Sequence, residues 1–232
     1  YILYVHLLLI YYSFILFFYF IFLFTIKLVI SQENPPNIIL MIGDGMGLTQ
    51  ISSGMYANGN KTALENFDYI GLSKTHALEN LVTDSAASGT AMACGVKTYN
   101  GVLGLDKDFN PVTSILEICR DKGYTTAILV TSTIVHATPA AYYSKSKSRY
   151  EYDNIAVELS KSNINLFVGG GERYFNDRED NRNLIEEMDK YVFVNNLEEY
   201  KNTDSKNIGF FTAYDDPSEK YLGREPSLDD II

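Results

Sequence analysis

Hydrophobic positions along this chain are first continuous and then gathered into short runs. Leu7 to Phe24 holds eighteen residues without a charge, enough to reach roughly 27 Å as a helix at about 1.5 Å per residue. That length suits a membrane span or a signal peptide with an overlong apolar core. "LVISQ" offers a cleavage site after Ser31, with Val29 and Ser31 small enough for a signal peptidase. Residues 1–31 are therefore expected to be a signal peptide or membrane anchor, with residues 2–30 available for membrane association. Residues 32–232 are expected outside the cytoplasm, whether periplasmic, extracellular or membrane-anchored. The chain opens on Tyr1 and its first methionine is Met41, so it reads as a fragment.

After Pro35-Pro36 the pattern changes. "NIILMI", Asn37 to Ile42, is a short apolar run of the kind that forms a strand buried on both faces. "FDYIGLSKT", 67–75, is a weaker strand candidate. A helix is expected after Ser85, and another in "NPVTSILEICRDKG", with Pro111 in its first turn and Gly123 as its stop. "TTAILVT" (Thr125 to Thr131), "INLFVGGG" (from Ile164), "YVFV" (from Tyr191) and "NIGFFT" (from Asn207) read as further strands. "DNRNLIEEMDK" reads as a helix, and "PSLDDII" as the start of one. Short apolar strands alternating with helices predict an α/β fold, a mostly parallel central sheet covered by helices on both faces. In such sheets chemistry collects beyond the C-terminal strand ends.

Composition narrows the picture. A chain of 232 residues supports one substantial domain. Net charge is −10, and Lys27 is the only charge in the leader, so the body is more acidic still. That excludes nonspecific nucleic-acid binding, which needs a cationic surface to displace counterions. Two cysteines, Cys94 and Cys119, permit one disulfide but are read as buried free thiols.

Three strand ends carry candidate chemistry. In "IGDGMG" the glycine spacing is not that of a dinucleotide turn, and Asp44 would set a carboxylate where a pyrophosphate must sit. Asp44 is either a hard ligand for a divalent cation or the cap of the next helix. In "VTDSAASGTAMACG", Ser85 is either an N-cap or a nucleophile. The flanking glycines of a lipase-type elbow are missing, since Thr83 and Ala87 take those positions. Activation by a metal would replace the absent histidine base, and the helix N-terminus would face an incoming anion. The run of small residues after Ser85 is expected to clear the backbone so that something bulky and charged can approach Ser85. In "VHATPAAYYSKSKSR", Pro139 is expected to keep His136–Thr138 out of helical geometry, on a loop where both are either solvated or ligating. Arg149 is either one surface charge among several or a fork for two phosphate oxygens.

Together "NIILMIGDGMG", "VTDSAASGTAMACGVKTYNG" and "TSTIVHATPAAYYSKSKSR" resemble the alkaline phosphatases, from about Asn37 to Asp230. The likeness is greatest to bacterial members that continue with "VGGG" and a strand-helix extension. The resemblance implies an alkaline phosphatase-like sheet, incomplete at the C-terminus, and hydrolysis of phosphate monoesters through a phosphoserine. It implies two Zn2+ and one Mg2+ per site. Asp44 would bridge a zinc and the magnesium, and Ser85 would be the nucleophile, its oxygen held on that zinc. Arg149 would clamp phosphate oxygens, with Asp84 orienting it. Thr138 would be a magnesium ligand, with His136 beside it touching that metal directly or through water. The His136 position is Asp in some members, which leaves the third metal's identity open. Substrates would be phosphate monoesters, the product inorganic phosphate, and a homodimer follows by analogy. The family's other metal ligands fall beyond Ile232, so this chain alone is expected to be inactive and a full-length parent active.

Competing chemistries fit the residues less well. Sulfatases carry C/S-x-P-x-R, whereas Ala86 and Ala87 follow Ser85, and diesterase relatives usually carry a threonine nucleophile. A membrane-tethered binding domain draws weight only from the apparent truncation.

Overall fold

The computed structural model describes residues 11–20 and 36–232. The chain separates into two compact units, Tyr1–Gly43 and Asp44–Ile232. In the first, residues 11–20 form a helix (α1). The rest of the apolar stretch Leu7–Phe24, beyond 11–20, and the site after Ser31 lie outside the described residues. Among the described residues no helix is long and apolar enough to cross a membrane. The strand expected at Asn37–Ile42 is not formed. Residues 36–43 carry no regular structure beyond the turn that starts at Asp44, and Ile38, Ile39, Leu40 and Met41 are exposed. A strand is a paired state, and no ladder among the described residues pairs with this run.

The second unit is built on four parallel strands. They are β1 (Ala127–Thr133), β2 (Leu166–Gly170), β3 (Val192–Val194) and β4 (Ile208–Phe211), in the spatial order β1-β2-β4-β3. Period-2 alternation sorts their side chains to two faces. On one face Val168, Val194 and Phe210 pack with Ile231, and Leu129, Leu166, Leu197, Tyr200 and Leu228 close around them. That face is covered by α9 (Leu197–Asn202) and α10 (Leu228–Ile231). On the other, Phe167 meets Tyr191, Phe193 and Phe211, and Phe175 from α7 (Arg173–Asn176) joins them. Gly209 makes this aromatic layer possible. A Cβ there would sit 2.6 Å from Phe193 and 2.7 Å from Phe167. The expected sheet with helices on both faces is thus observed.

Local signals explain most helices and correct several expectations. The helix α3 (Ser85–Cys94) starts where expected and ends at Gly95, left-handed at φ 71°. In α4 (Ile115–Asp121) the start is Ser114, not Pro111. Ser114 and Glu117 form a reciprocal capping box, and Pro111 instead pairs as a bridge with Leu105. Gly123 follows at φ 83°, as a stop requires. The "DNRNLIEEMDK" helix is a single turn, α8 (Leu184–Glu187), because Asn183 caps it late. Segment 67–75 is not a strand at all. Several helices went unread in the sequence, among them the two ten-residue helices α2 (Leu48–Ala57) and α6 (Tyr152–Lys161). The second was legible in hindsight, since Ile155, Ala156 and Leu159 fall on one buried stripe.

Candidate active site

The site gathers past the C-terminal end of β1 and around the first turn of α3. Asp84, not Ser85, is the N-cap of α3, and its Oδ1 accepts the Ala87 N–H at 2.9 Å. Ser85 is therefore the first helical residue, with its hydroxyl free to point outward. That hydroxyl donates to Asp44 Oδ1 at 3.0 Å, across 41 residues of sequence. Asp44 does not cap a helix. The N-cap of α2 is Gly47, whose N–H is taken by the Gln50 side chain. The second Asp44 oxygen, Oδ2, accepts from Thr138 Oγ1 at 2.8 Å and lies 4.0 Å from His136 Nδ1.

Pro139 does not keep this segment extended. His136 caps a helical turn, α5 (Ala137–Ala140), and Pro139 lies within it. A proline in a first turn removes an N–H that has no helical partner anyway. The turn is closed by Ala140 N–H to the His136 carbonyl at 3.0 Å. It is held against α3 at Gly89, where a Cβ would come 3.1 Å from Ala141 Cβ and 3.6 Å from the Thr138 Cα. This corrects the reading of the small residues. Ala86, Ala87, Gly89, Thr90 and Ala93 are buried, and at Gly89 the absent side chain lets the backbone at Thr138 and the Ala141 side chain approach α3.

Arg149 closes the cluster. Its Nη1 donates to Asp84 Oδ2 at 3.2 Å, in a pair whose side chains are 15% and 26% exposed. Its Nη2 lies 3.2 Å from His136 Nε2. Donation from a guanidinium requires Nε2 to be the unprotonated nitrogen, which puts a neutral ring's proton on Nδ1, toward Asp44. Burial lowers the His136 pKa, the Arg149 charge lowers it further, and Asp44 and Asp216 oppose them. Asp216 was not singled out by sequence. Its Oδ1 accepts the Thr133 N–H at the end of β1, at 3.2 Å. Asn100 and Gly101 were missed as well, and no spacing rule would have found them.

All six residues singled out in the sequence thus stand in one connected cluster: Asp44, Asp84, Ser85, His136, Thr138 and Arg149. The donors around Asp44 are a carboxylate, two hydroxyls and an imidazole, a set suited to a hard divalent cation. Among the described residues no group of three or more His, Cys, Asp or Glu side chains stands ready for a metal, so closing a tetrahedral zinc site needs ligands beyond these. Cys94 and Cys119 are free thiols as expected, but both are half-buried and not buried.

The motifs, the cluster and the sheet find counterparts in known proteins. The sequence model of the alkaline phosphatase family matches residues 36–231. The chain belongs to the alkaline phosphatase family. It is 40% identical to alkaline phosphatase 4 of Bacillus subtilis over 222 residues, covering 87% of this chain and 47% of that relative. It is 33% identical over 183 residues to the repressible alkaline phosphatase of Saccharomyces cerevisiae, covering 68% and 32%. Among solved structures, the alkaline phosphatase of the Antarctic bacterium TAB5 superposes with TM-score 0.80 at 33% identity, covering 86% of this chain and 60% of that one. Variants of that enzyme have been solved with Mg bound in their M3 site. The chain spans about half the length of the curated relatives it matches.

Proposed function

We propose that the full-length protein bearing this chain is an exported phosphomonoesterase, and that Ser85 becomes a phosphoserine during each turnover. The observation that carries the reading is the convergence of Ser85 Oγ and Thr138 Oγ1 on the two oxygens of Asp44, beside a guanidinium held by Asp84. Ser85 Oγ attacks phosphorus, the bond to the leaving oxygen breaks, and the alcohol departs with a proton. Water then attacks the phosphoserine, the bond from Oγ to phosphorus breaks, and inorganic phosphate leaves. Asp44 Oδ1 accepts the Ser85 hydroxyl and so holds the attacking oxygen beside the carboxylate that would carry the metals. Arg149 grips nonbridging oxygens in a forked geometry that a lysine cannot reproduce. The α3 N-terminus adds positive dipole where negative charge develops.

Asp44 and Ser85 would hold one zinc, while Asp44, Thr138 and His136 would hold a magnesium, directly or through water. Bound Zn2+ and Mg2+ supply positive charge that lowers the hydroxyl pKa and stabilises the in-line transition state. A second zinc needs ligands outside these residues, as does completion of the first. A homodimer and membrane attachment through residues 2–30 accompany the proposal on family analogy and leader composition.

Hydrolysis of p-nitrophenyl phosphate tests it. The full-length protein with zinc and magnesium should turn over the ester, chelation should abolish turnover, and Ser85→Ala should lower kcat by at least about 1000-fold. Residues 32–232 alone should show none. A Ser85→Ala protein that keeps its rate would overturn the assignment.

A further inference from the structure

We infer that the Asn100–Gly101 turn is a positioning element that fixes the spacing between the Ser85 hydroxyl and the Arg149 guanidinium; it rests on the phosphomonoesterase reading of this site. Neither residue offers a group to phosphate or metal in the proposed chemistry. Both are instead wired to the residues that do. The Asn100 carboxamide lies along the backbone that leads into α3. Its Oδ1 accepts the Asp84 N–H at 3.0 Å, and its Nδ2 donates to the Val82 carbonyl at 3.0 Å. One side chain thus answers two backbone groups of the extended segment, as a neighbouring strand would. Asp84 is extended at φ −99°, ψ 176°, and Ser85 follows at once.

Gly101 carries the connection to the other side. Its N–H donates to Asp84 Oδ2 at 2.9 Å, the same oxygen that receives Arg149 Nη1. Its carbonyl accepts the Arg149 N–H at 2.7 Å. One residue therefore holds both the carboxylate that orients the guanidinium and the backbone from which the guanidinium springs. The geometry depends on a tight turn, closed by Val102 N–H to the Tyr99 carbonyl at 3.2 Å. Gly101 has φ 85° while Asn100 is not left-handed, which is the type II arrangement and calls for glycine at the third position. Space is not the constraint, since a Cβ on Gly101 would meet nothing within 4 Å.

Asn100 is exposed, so its two hydrogen bonds lie at the rim of the site and not in the core. A residue that only stabilised the fold would change the amount of folded protein. A positioning residue changes how well the folded protein binds and attacks phosphate, because small misplacements of a reacting pair cost rate steeply.

The test uses full-length holoenzyme and a double-mutant cycle with Arg149→Ala, reading p-nitrophenyl phosphate kinetics, inhibition by inorganic phosphate, and thermal unfolding. Asn100→Ala should lower kcat/KM by about 10- to 100-fold and weaken phosphate inhibition, with the melting temperature shifted by only a few degrees. In the Arg149→Ala background the effect of Asn100→Ala on phosphate inhibition should largely vanish, because coupled residues are non-additive. Asn100→Asp keeps the shape and the acceptor but turns an oxygen toward the Val82 carbonyl, so it should fold and still lose rate. Additive losses would overturn the inference, as would unchanged kinetics in both Asn100 variants or a rate loss that only tracks unfolding. A wild-type protein that neither hydrolyses the ester nor binds phosphate would remove the underlying reading instead, and this inference with it.

Discussion

Segments 67–75 and 127–133 are both short apolar runs bounded by polar residues, yet they end in opposite states. Residues 127–133 form β1, which pairs with β2 at Ala127–Leu129, shifts register, pairs again at Thr133 and leads directly into His136. Residues 67–75 form no strand, and Tyr69, Ile70 and Leu72 are 92%, 91% and 95% exposed. Composition separates them only in part, since 67–75 carries Asp68, Gly71 and Lys74 where 127–133 has no charge or glycine. Pairing completes the division: each β1 residue that enters the ladder has a partner on β2, and β2 is itself clamped between aromatic and aliphatic layers. Apolar residues create demand for burial, but a strand exists only where a second backbone answers its N–H and C=O groups.

Substitutions should divide along the same line. Phe167→Ala strikes the answered side hardest, since Phe167 is fully buried between Phe175, Tyr191, Phe193 and Phe211. It should cost about 3–5 kcal/mol in urea unfolding; a loss below 1 kcal/mol would break the comparison. Glu117→Gln should cost less, about 1–2 kcal/mol at neutral pH. Glu117 accepts from Lys145 Nζ at 2.8 Å and from the Ser114 N–H at 2.7 Å. Burial pushes its carboxyl up, but the Lys145 and Ser114 hydrogen bonds outweigh that and hold the pKa below its ordinary value. The folded-state pKa being the lower, this contribution is complete above the ordinary carboxyl range and fades as pH falls through the depressed value. The wild-type advantage over Glu117→Gln should therefore shrink in acid, which paired urea titrations at neutral and acid pH would check. Smallest of all, Leu72→Ser should change the stability of this chain by no more than about 0.5 kcal/mol. A larger loss would mean that segment 67–75 is packed after all.

The legibility of the sequence follows the same rule. Four strands were readable because each is an apolar run that finds a parallel partner in the sheet. "NIILMI" gave the same local signal and "FDYIGLSKT" a weaker one, and both failed, because nothing local encodes the presence of a partner. Helix starts were misplaced where a capping side chain decided them, as Ser114 did over Pro111 and Asn183 did in α8. The candidate site was more legible than the fold around it. Its residue types are rare together, and Asp44, Ser85 and Thr138 meet through hydrogen bonds spanning 41 and 94 residues. Hidden from the sequence was the framework. Gly89 serves helix contact and not ligand access, and Asn100 works through backbone groups that no motif names.

Trapping the covalent intermediate is the most direct test of the central claim that Ser85 attacks phosphorus. Full-length protein would be incubated with radiolabelled inorganic phosphate, quenched in acid, digested and mapped. The account predicts label on the peptide containing Ser85, and none in Ser85→Ala. Label on another residue, or persistence of label in Ser85→Ala, would contradict it.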